Sequence, residues 1–328
     1  MLPPLPPSHP ADRRRDLVGG IAFGVGAGAL WGFVFLAPQL LPMFSPLALS
    51  AARYVLYGAL SLAIVVVTRP SLLRDTSRHE WLALVLLALP GNVVYFLFLA
   101  GAVQRAGVAP VSLIVGMVPV TATLLAAIDR RRDVDTVPLR RLLLPLTMAV
   151  AGAVCIYLDA PASTGHGDRR THLVGLLFAF GALISWTIFA VENARFLRAH
   201  PQISSRSWSL LSGVATGAVS LAVLVPPLLW SPALLTTSST TTTLTGTDWW
   251  RFAAINAGVA LGASVVGNGF WNAASRRLPL TLSGQMIVFE TLFALVYGFA
   301  VEGRGPHALE VLAAALLIGG VVLSARRH

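Results

Sequence analysis

The sequence predicts an all-α integral membrane protein with ten transmembrane helices, arranged as two inverted five-helix repeats, with both termini cytoplasmic. Three observations lead to this prediction. Charged residues are scarce and are mostly absent from the long apolar runs, arginine residues collect on one side of the predicted membrane, and the second half of the chain repeats the first in order.

The composition excludes a soluble fold. The 328 residues are 55% hydrophobic and 12% charged, and the mean hydropathy is +0.74. Soluble domains carry about 25% charged residues, so this chain lacks the polar groups that a soluble surface needs, and the same numbers exclude disorder. All 24 basic residues are Arg, against 14 acidic residues. Because they are scattered between apolar runs, the expected partner is the lipid bilayer and not nucleic acid.

Ten apolar runs are long enough to cross a bilayer core of about 30 Å, which takes roughly 20 helical residues. They are 17–37, 46–68, 80–102, 108–128, 139–158, 172–194, 207–230, 249–274, 279–301 and 306–325. The first run is too long for the core of a cleaved signal peptide, so it is expected to remain as a span.

The domain organisation follows from these runs. It comprises a cytoplasmic tail (1–16), a first five-helix repeat (17–158), an outer linker (159–171), a second five-helix repeat (172–325) and a cytoplasmic tail (326–328). The longest link within a repeat, 231–248, is Thr-rich, which predicts a solvated loop on the outer side.

The distribution of arginine predicts the orientation, because cytoplasmic loops are enriched in basic residues. With the N-terminus inside, 18 of the 24 Arg fall on the cytoplasmic side. Arg53 lies within a span, and the outer side holds only Arg105, Arg169, Arg170, Arg251 and Arg304. This asymmetry favours an even number of spans in the inner (plasma) membrane.

An internal repeat relates the two halves. At an offset of 155 residues Trp31 aligns with Trp186, and beyond the Thr-rich loop an offset of 171 aligns Gly91 with Gly262. Five spans is an odd number, so the second copy enters from the opposite side and the halves are inverted. Secondary transporters have this architecture, with the substrate site near the midplane.

Residues 17–325 resemble the drug/metabolite transporter superfamily, in particular its EamA-type ten-span exporters. The resemblance implies a carrier that exports small metabolites, amino acids among them. The second repeat departs from the first in having Glu290 where the first has Pro119. The residues that carry the resemblance are Trp31 with its flanking glycines, Pro46 and Arg53 seven residues later, the stretch 91–119, and Glu302 with Gly303.

Arg53 and Glu290 are the two clear charges within spans. A charge in hydrocarbon is costly, so each is expected to face the bundle interior and to have a partner. The two could pair and lock one state of the carrier, or Glu290 could take up a proton when Arg53 moves away. The structural alternatives are that Arg53 bonds backbone carbonyls and that Glu290 is a protonated, hydrogen-bonded group. Proton coupling is therefore left open.

Two tryptophans lie deeper than the membrane interfaces that Trp usually prefers. Trp31 and Trp186 each lie 14 residues into their runs, which is about 21 Å of helix. We expect them to shape opposite ends of a substrate pocket, the alternative being lipid-facing or core aromatic residues.

Further candidate pocket residues are polar or adaptable. Asn92 and Tyr95 follow a Pro-Gly pair and Asn268 lies between two glycines, where a helix break exposes backbone groups to a cavity. Gln285 adds an amide, and Met117 adds a flexible wall. Each polar group could instead be interhelical glue.

Four glycines, Gly20, Gly24, Gly28 and Gly32, recur every four residues on the first helix. Small residues at this spacing let another helix approach closely. The stripe is expected to be a helix-packing surface, either static or sliding during transport.

These observations predict a secondary transporter that moves a small metabolite, such as an amino acid or a similar partly apolar compound, by alternating access in the export direction. Multidrug efflux is the alternative, followed by a membrane enzyme, a channel or a scaffold. No catalytic, metal-binding or cofactor-binding residues are predicted, because the single cysteine, Cys155, and the seven histidines form no such motif. A monomer and a homodimer both remain open.

Overall fold

A computed structural model describes residues 10–128, 139–163, 169–237, 244–278 and 280–325. These ranges are helical almost throughout, and the only β-type contact within them is an isolated antiparallel bridge between Phe44 and Thr236. The predicted all-α class is therefore confirmed. Residues 1–9 of the predicted tail 1–16 and the predicted tail 326–328 lie outside the described residues, as do the tip of the Thr-rich loop (238–243) and part of the outer linker (164–168).

The helices of the first half follow the predicted runs. They are α1 (Pro10–Leu40), α2 (Pro46–Thr68), α3 (Ser71–Asp75), α4 (Arg78–Ala88), a π-helical segment (Leu89–Val93), α5 (Val94–Ala106), α6 (Val108–Val115), α7 (Val118–Ile128) and α8 (Leu139–Ser163).

The second half has a similar succession. It comprises α9 (Arg169–Ala199), α10 (Ser205–Val223), α11 (Val225–Trp230), a 3₁₀ turn (Pro232–Leu235), α12 (Gly246–Val259), a second π-helical segment (Ala260–Gly267), α13 (Asn268–Arg277), α14 (Leu280–Glu302) and α15 (Ala308–Ala325).

Among the described residues, six helical segments are long and apolar enough to cross a membrane. They are Leu17–Leu40, Pro46–Thr68, Arg78–Ala106, Arg169–Ala199, Ser205–Trp230 and Gly246–Ser275. Three shorter apolar helices are Val108–Ala122, Leu143–Cys155 and Ala308–Gly320. The predicted run 108–128 is interrupted by a turn at Gly116 and Met117, which separates α6 from α7. The count of ten spans stays a prediction.

Local side chains explain where several helices begin. The Ser45 hydroxyl accepts a hydrogen bond from the backbone N–H of Ala48, and Pro46 occupies the first turn of α2, where a missing N–H costs nothing. Ser77 with Glu80, and Thr245 with Asp248, form capping boxes at the starts of α4 and α12. The starts of the third and eighth apolar runs are therefore fixed by the same device.

Two π-helical segments occur at matching places in the halves. The first begins at Leu89 and the second at Ala260, which differ by the offset of 171 residues that aligns Gly91 with Gly262. A π segment widens the helix by an extra residue per turn and is frequent at functional sites. The shared position supports the internal repeat.

The two halves pack mainly against each other. α1 contacts α14, α13 and the second π segment, while α9 contacts α5 and the first π segment. α2 packs on α10, and α8 packs on α15. The α2–α10 crossing is so close that a Cβ added at Gly58 would overlap the backbone of Gly217.

The glycine stripe of α1 faces α14 and the residues just before it. A Cβ at Gly20 would lie 2.7 Å from the Leu278 side chain, and one at Gly24 would lie 2.7 Å from Met286. At Gly28 and Gly32 the obstacle is backbone, because the added Cβ would lie 2.9 Å from the nitrogen of Glu290 and 3.0 Å from that of Ala294. The stripe therefore lets the two helices touch along their length.

Candidate functional site

A cavity lies where the two halves meet. The space between its walls, its open side included, is ≈ 530 Å³. Seven of the nine residues predicted to bind substrate line it: Trp31, Arg53, Asn92, Tyr95, Trp186, Asn268 and Glu290. The other lining residues are Val34, Tyr54, Tyr57, Gly91, Ala263 and Ser264.

The remaining two predicted residues are not part of this wall. Met117 is 6% exposed and packs in the main hydrophobic cluster, because the turn after α6 directs it into the core. The side chain of Gln285 lies outside the described part of the structure, so its predicted role stays a prediction.

Arg53 points from α2 into the cavity and is 7% exposed. Its guanidinium carbon lies 4.5 Å from the ring centre of Phe96 and 5.1 Å from that of Tyr54, which favours a cation over the ring faces. Within the described residues, its Nε and Nη1 atoms have no hydrogen-bond partner. The guanidinium is thus held by aromatic rings while donors of its fork remain unused.

Glu290 faces the same cavity from the middle of α14. The absent side chain of Gly28 lets α1 lie directly against its backbone. Arg53 lines the same cavity from α2. Among the described residues, however, no hydrogen bond or ion pair within 4.0 Å joins the two side chains. The two ionisable side chains therefore share the cavity without a direct ion pair between them.

The two tryptophans are held in different ways. The indole Nε1 of Trp31 donates a hydrogen bond to the carbonyl of Ala263 (3.0 Å) within the second π segment. Trp186 instead lies in a row of rings, with its centre 4.9 Å from both Tyr95 and Phe189. Both indoles line the cavity, which places one aromatic wall in each half.

The π segments supply polar groups to the same region. The carbonyl of Pro90 accepts a hydrogen bond from the Ser185 hydroxyl (2.8 Å), and Asn92 donates to the Thr216 hydroxyl (3.0 Å). In the second half, Asn268 donates to the carbonyl of Ser264 (2.7 Å). The helix breaks are thus tied to neighbouring side chains, as expected for irregular backbone beside a cavity.

Sequence reasoning missed several lining residues, although the spacing contained a signal. Tyr57 lies four residues after Arg53 on α2, and Ser264 lies four residues before Asn268, so each shares a helix face with a predicted residue. Tyr57 is further oriented by a hydrogen bond from its hydroxyl to the carbonyl of Ser209 (3.2 Å). No sequence signal identifies Ala263, which lines the cavity through the second π segment.

A short strap connects the halves at the predicted outer end. We call the segments 41–45 and 231–237 the outer strap. The backbone N–H of Thr237 donates to the carbonyl of Met43 (2.9 Å), and that of Ser45 donates to Leu235 (2.9 Å). Between them Phe44 is fully buried. Its ring centre lies 4.3 Å from Phe252 and 5.1 Å from Trp249.

A second cluster at this end is ionic. Arg304 makes a two-pronged ion pair with Glu310, with both nitrogen–oxygen distances 2.7 Å, and a further one with Glu302 (2.7 Å). Gln39 of α1 donates to Glu302 (3.1 Å). The hydrogen bond to Glu310, with the negative charges of Glu302 and Glu310, raises the pKa of the Arg304 guanidinium above its ordinary value. The cluster ties α1, α14 and α15 together.

Groups of three or more His, Cys, Asp or Glu side chains, as a metal ion would need, do not occur among the described residues. The cavity instead combines a buried cation, a carboxylate, aromatic rings and amides, all drawn from both halves. Chemically, such a surface can bind a small molecule with polar ends and an apolar body.

Comparison with known proteins identifies the class. The EamA-like transporter family matches residues 18–157, and the chain belongs to this family, within the drug/metabolite transporter superfamily. A curated relative, the inner membrane protein YtfF of Escherichia coli (strain K12), is 30% identical over 316 residues, which cover 94% of this chain and 96% of that protein. The present chain is accordingly a multi-pass protein of the inner membrane.

A solved crystal structure is similar to this fold over most of its length. It superposes with a TM-score of 0.58 at 18% sequence identity, covering 94% of this chain and 98% of the other. At this identity the likeness shows the fold alone.

Proposed function

We propose that this protein is a secondary carrier that moves a small, partly apolar metabolite, such as an amino acid, by alternating access and in the export direction. The observation that carries the proposal is the cavity between the halves. Trp31, Arg53 and Asn92 come from the first half, and Trp186 and Glu290 come from the second. A site shared by two halves is exposed to either side of the membrane when one half moves against the other.

The arrangement of spans in this proposal is the predicted one, with ten spans in two inverted repeats. The matched π segments and the exchange of helix contacts between halves support it. Small residues at the α1–α14 and α2–α10 contacts allow close helix packing. Because glycines form these contacts, one half can move against the other without a bulky side chain in the way.

The charges of the cavity favour a metabolite over a highly charged substrate. Among the described cavity residues, Arg53 is the single basic residue, and Glu290 is the single acidic one. A phosphorylated sugar or nucleotide would need several cations. An amino acid carries one charge of each sign, and its side chain could lie against the aromatic walls.

Counterflow in proteoliposomes tests the proposed function. Vesicles loaded with one unlabelled compound at a time, from a panel of amino acids and cationic drugs, are assayed for uptake of the labelled compound, with and without a pH gradient. Saturable accumulation of an amino acid is the expected result. Accumulation of drugs alone would indicate multidrug efflux. Flux without counterflow would indicate a channel, and no flux for any compound would contradict a carrier.

A further inference from the structure

Arg53 and Glu290 both line the cavity, but they form no ion pair with each other among the described residues. Arg53 lies in the apolar helix Pro46–Thr68 and Glu290 in the predicted span 279–301, where an ionised side chain is kept only at considerable cost and with a partner. Arg53 is 7% exposed, and its Nε and Nη1 donors have no partner within the described residues. The cost of these unused donors must be offset when the site is in use.

The rings around Arg53 hold the guanidinium without consuming its hydrogen bonds. Phe96 and Tyr54 face its carbon at 4.5 and 5.1 Å. Cation–π contacts act through the ring face and leave the N–H groups available in the plane of the fork. A carboxylate that enters the cavity could therefore accept hydrogen bonds from the Nε and Nη1 groups of Arg53.

Electrical balance limits what can enter. A basic and an acidic side chain line one cavity, yet within the described residues no ion pair within 4.0 Å joins them. A ligand with one net charge would neutralise one side chain and leave the other unpaired in a medium of low dielectric constant, which is costly. A ligand that carries both charges neutralises both.

We infer that the substrate is a zwitterion that bridges the two residues, with its carboxylate on the Arg53 guanidinium and its ammonium on the Glu290 carboxylate. This inference rests on the proposed carrier function and adds which residue recognises which end. The apolar body of the substrate then lies against the ring row of Trp186 and Tyr95, whose centres are 4.9 Å apart.

The test uses matched probes that lack one charge. L-leucine and L-phenylalanine are zwitterions, their amides retain only the ammonium, and their N-acetyl derivatives retain only the carboxylate. Binding to the purified full-length protein is measured by ligand-dependent thermal stabilisation and by competition in counterflow. Wild-type protein is expected to bind at least one zwitterion about tenfold or more tightly than either derivative, since each lost contact is a charge-assisted hydrogen bond.

The variants should separate the two ends. R53Q is expected to abolish the preference for the zwitterion over the amide and to keep the preference over the N-acetyl compound. E290Q is expected to abolish the preference for the zwitterion over the N-acetyl compound and to keep the preference over the amide. If Arg53 or Glu290 only stabilised the fold, its replacement would weaken the binding of the zwitterion, the amide and the N-acetyl compound equally.

Matched controls lie outside the cavity. Arg105 also rests on a ring, with its guanidinium carbon 5.0 Å from the centre of Phe178, but it does not line the cavity. Glu192 pairs with Arg195 on the half-exposed surface of α9. R105Q and E192Q should leave probe selectivity unchanged.

Some results would overturn the inference. One is that the wild-type protein binds a zwitterion and one of its derivatives equally well. The other is that R53Q and E290Q each weaken the binding of all probes by the same factor. Should R53Q fail to fold, as judged by gel filtration, R53K replaces it and should weaken the carboxylate-bearing probes selectively. Counterflow of a non-zwitterionic compound alone would overturn the bridging and leave the carrier intact. No counterflow for any compound would overturn both.

Discussion

The position of Glu290 depends on a residue that has no side chain. Gly28 of α1 lies against the Glu290 backbone, and a Cβ there would come within 2.8 Å of Phe289 and 2.9 Å of the Glu290 nitrogen. A backbone atom cannot rotate away as a side chain can. The contact therefore fixes how far Glu290 stands from the first half of the protein.

We expect Gly28→Ala to destabilise the protein by about 1–3 kcal/mol, because α1 and α14 must separate to admit the methyl group. Thermal unfolding in detergent micelles, followed by gel filtration, measures the loss. The matched control is Gly258→Ala on α12, where an added Cβ would meet nothing within 4 Å. Equal melting temperatures for both variants would contradict the tight contact.

At the scale of elements, the two π segments are the clearest structural similarity between the halves. Each interrupts a long apolar helix at the same register, and each is secured by a side chain from another helix. Ser185 of α9 binds the carbonyl of Pro90, and Trp31 of α1 binds that of Ala263. Each break is thus attached to a helix of the opposite half.

Removal of one such attachment should be measurable. Ser185→Ala leaves the Pro90 carbonyl without its hydroxyl donor, and we expect a loss of about 1 kcal/mol in the free energy of unfolding. Ser275→Ala on the exposed part of α13 is the control and should be neutral within about 0.5 kcal/mol. A neutral Ser185→Ala variant would show that the break needs no support from α9.

The outer strap is the second element with a testable role. Its backbone hydrogen bonds join the α1–α2 turn to the segment after α11, and Phe44 is enclosed between them. Under the proposed alternating access, these bonds must break when the site opens outward.

A reversible cross-link tests this role. Met43→Cys and Thr237→Cys, combined in a Cys155→Ser background, place two thiols across the strap. Directly opposed antiparallel residues have Cα atoms about 4.5–5.5 Å apart, within the range of a disulfide. Oxidation should lower counterflow at least about tenfold, and a reductant should restore it. Each single cysteine variant is the control, and unimpaired transport in the oxidised double variant would rule out opening at the strap.

At the scale of the whole molecule, the predicted orientation has a direct test. Alkaline phosphatase joined after Gly305 should be active, because this position is predicted to lie outside, and a fusion after Arg277 should be inactive. A green fluorescent protein at the C-terminus should fluoresce in the cytoplasm. An active phosphatase after Arg277 would contradict the predicted orientation.

Helix positions were predictable because the physical signal is strong. A run of about 20 apolar residues has few stable alternatives to a helix in hydrocarbon, and α2 begins at Pro46 and ends at Thr68 as the run 46–68 predicts. The π segments were not predictable in type, since a Pro-Gly pair such as Pro90 and Gly91 signals a break without specifying its hydrogen bonds. The turn at Gly116 and Met117 was also missed, because the apolar run 108–128 predicts a helix without showing where it is interrupted.

The cavity was partly predictable for an energetic reason. Polar and charged groups in hydrocarbon must face an interior, so Arg53 and Glu290 were found from their depth, and Asn92 was found from its place after a Pro-Gly pair. Tyr54 and Tyr57 were missed because a tyrosine is compatible with many positions in a bundle. That Arg53 rests on Phe96 depends on helix rotation, which the sequence does not specify.

The packing of α1 has a consequence for biogenesis. Its glycine stripe faces α14, and α14 begins at Leu280. The ribosome therefore synthesises most of the chain before α1 can meet this partner, and until then the stripe must face lipid or a chaperone. A chain that stops after the first repeat would lack α14 and would retain this surface without its packing partner.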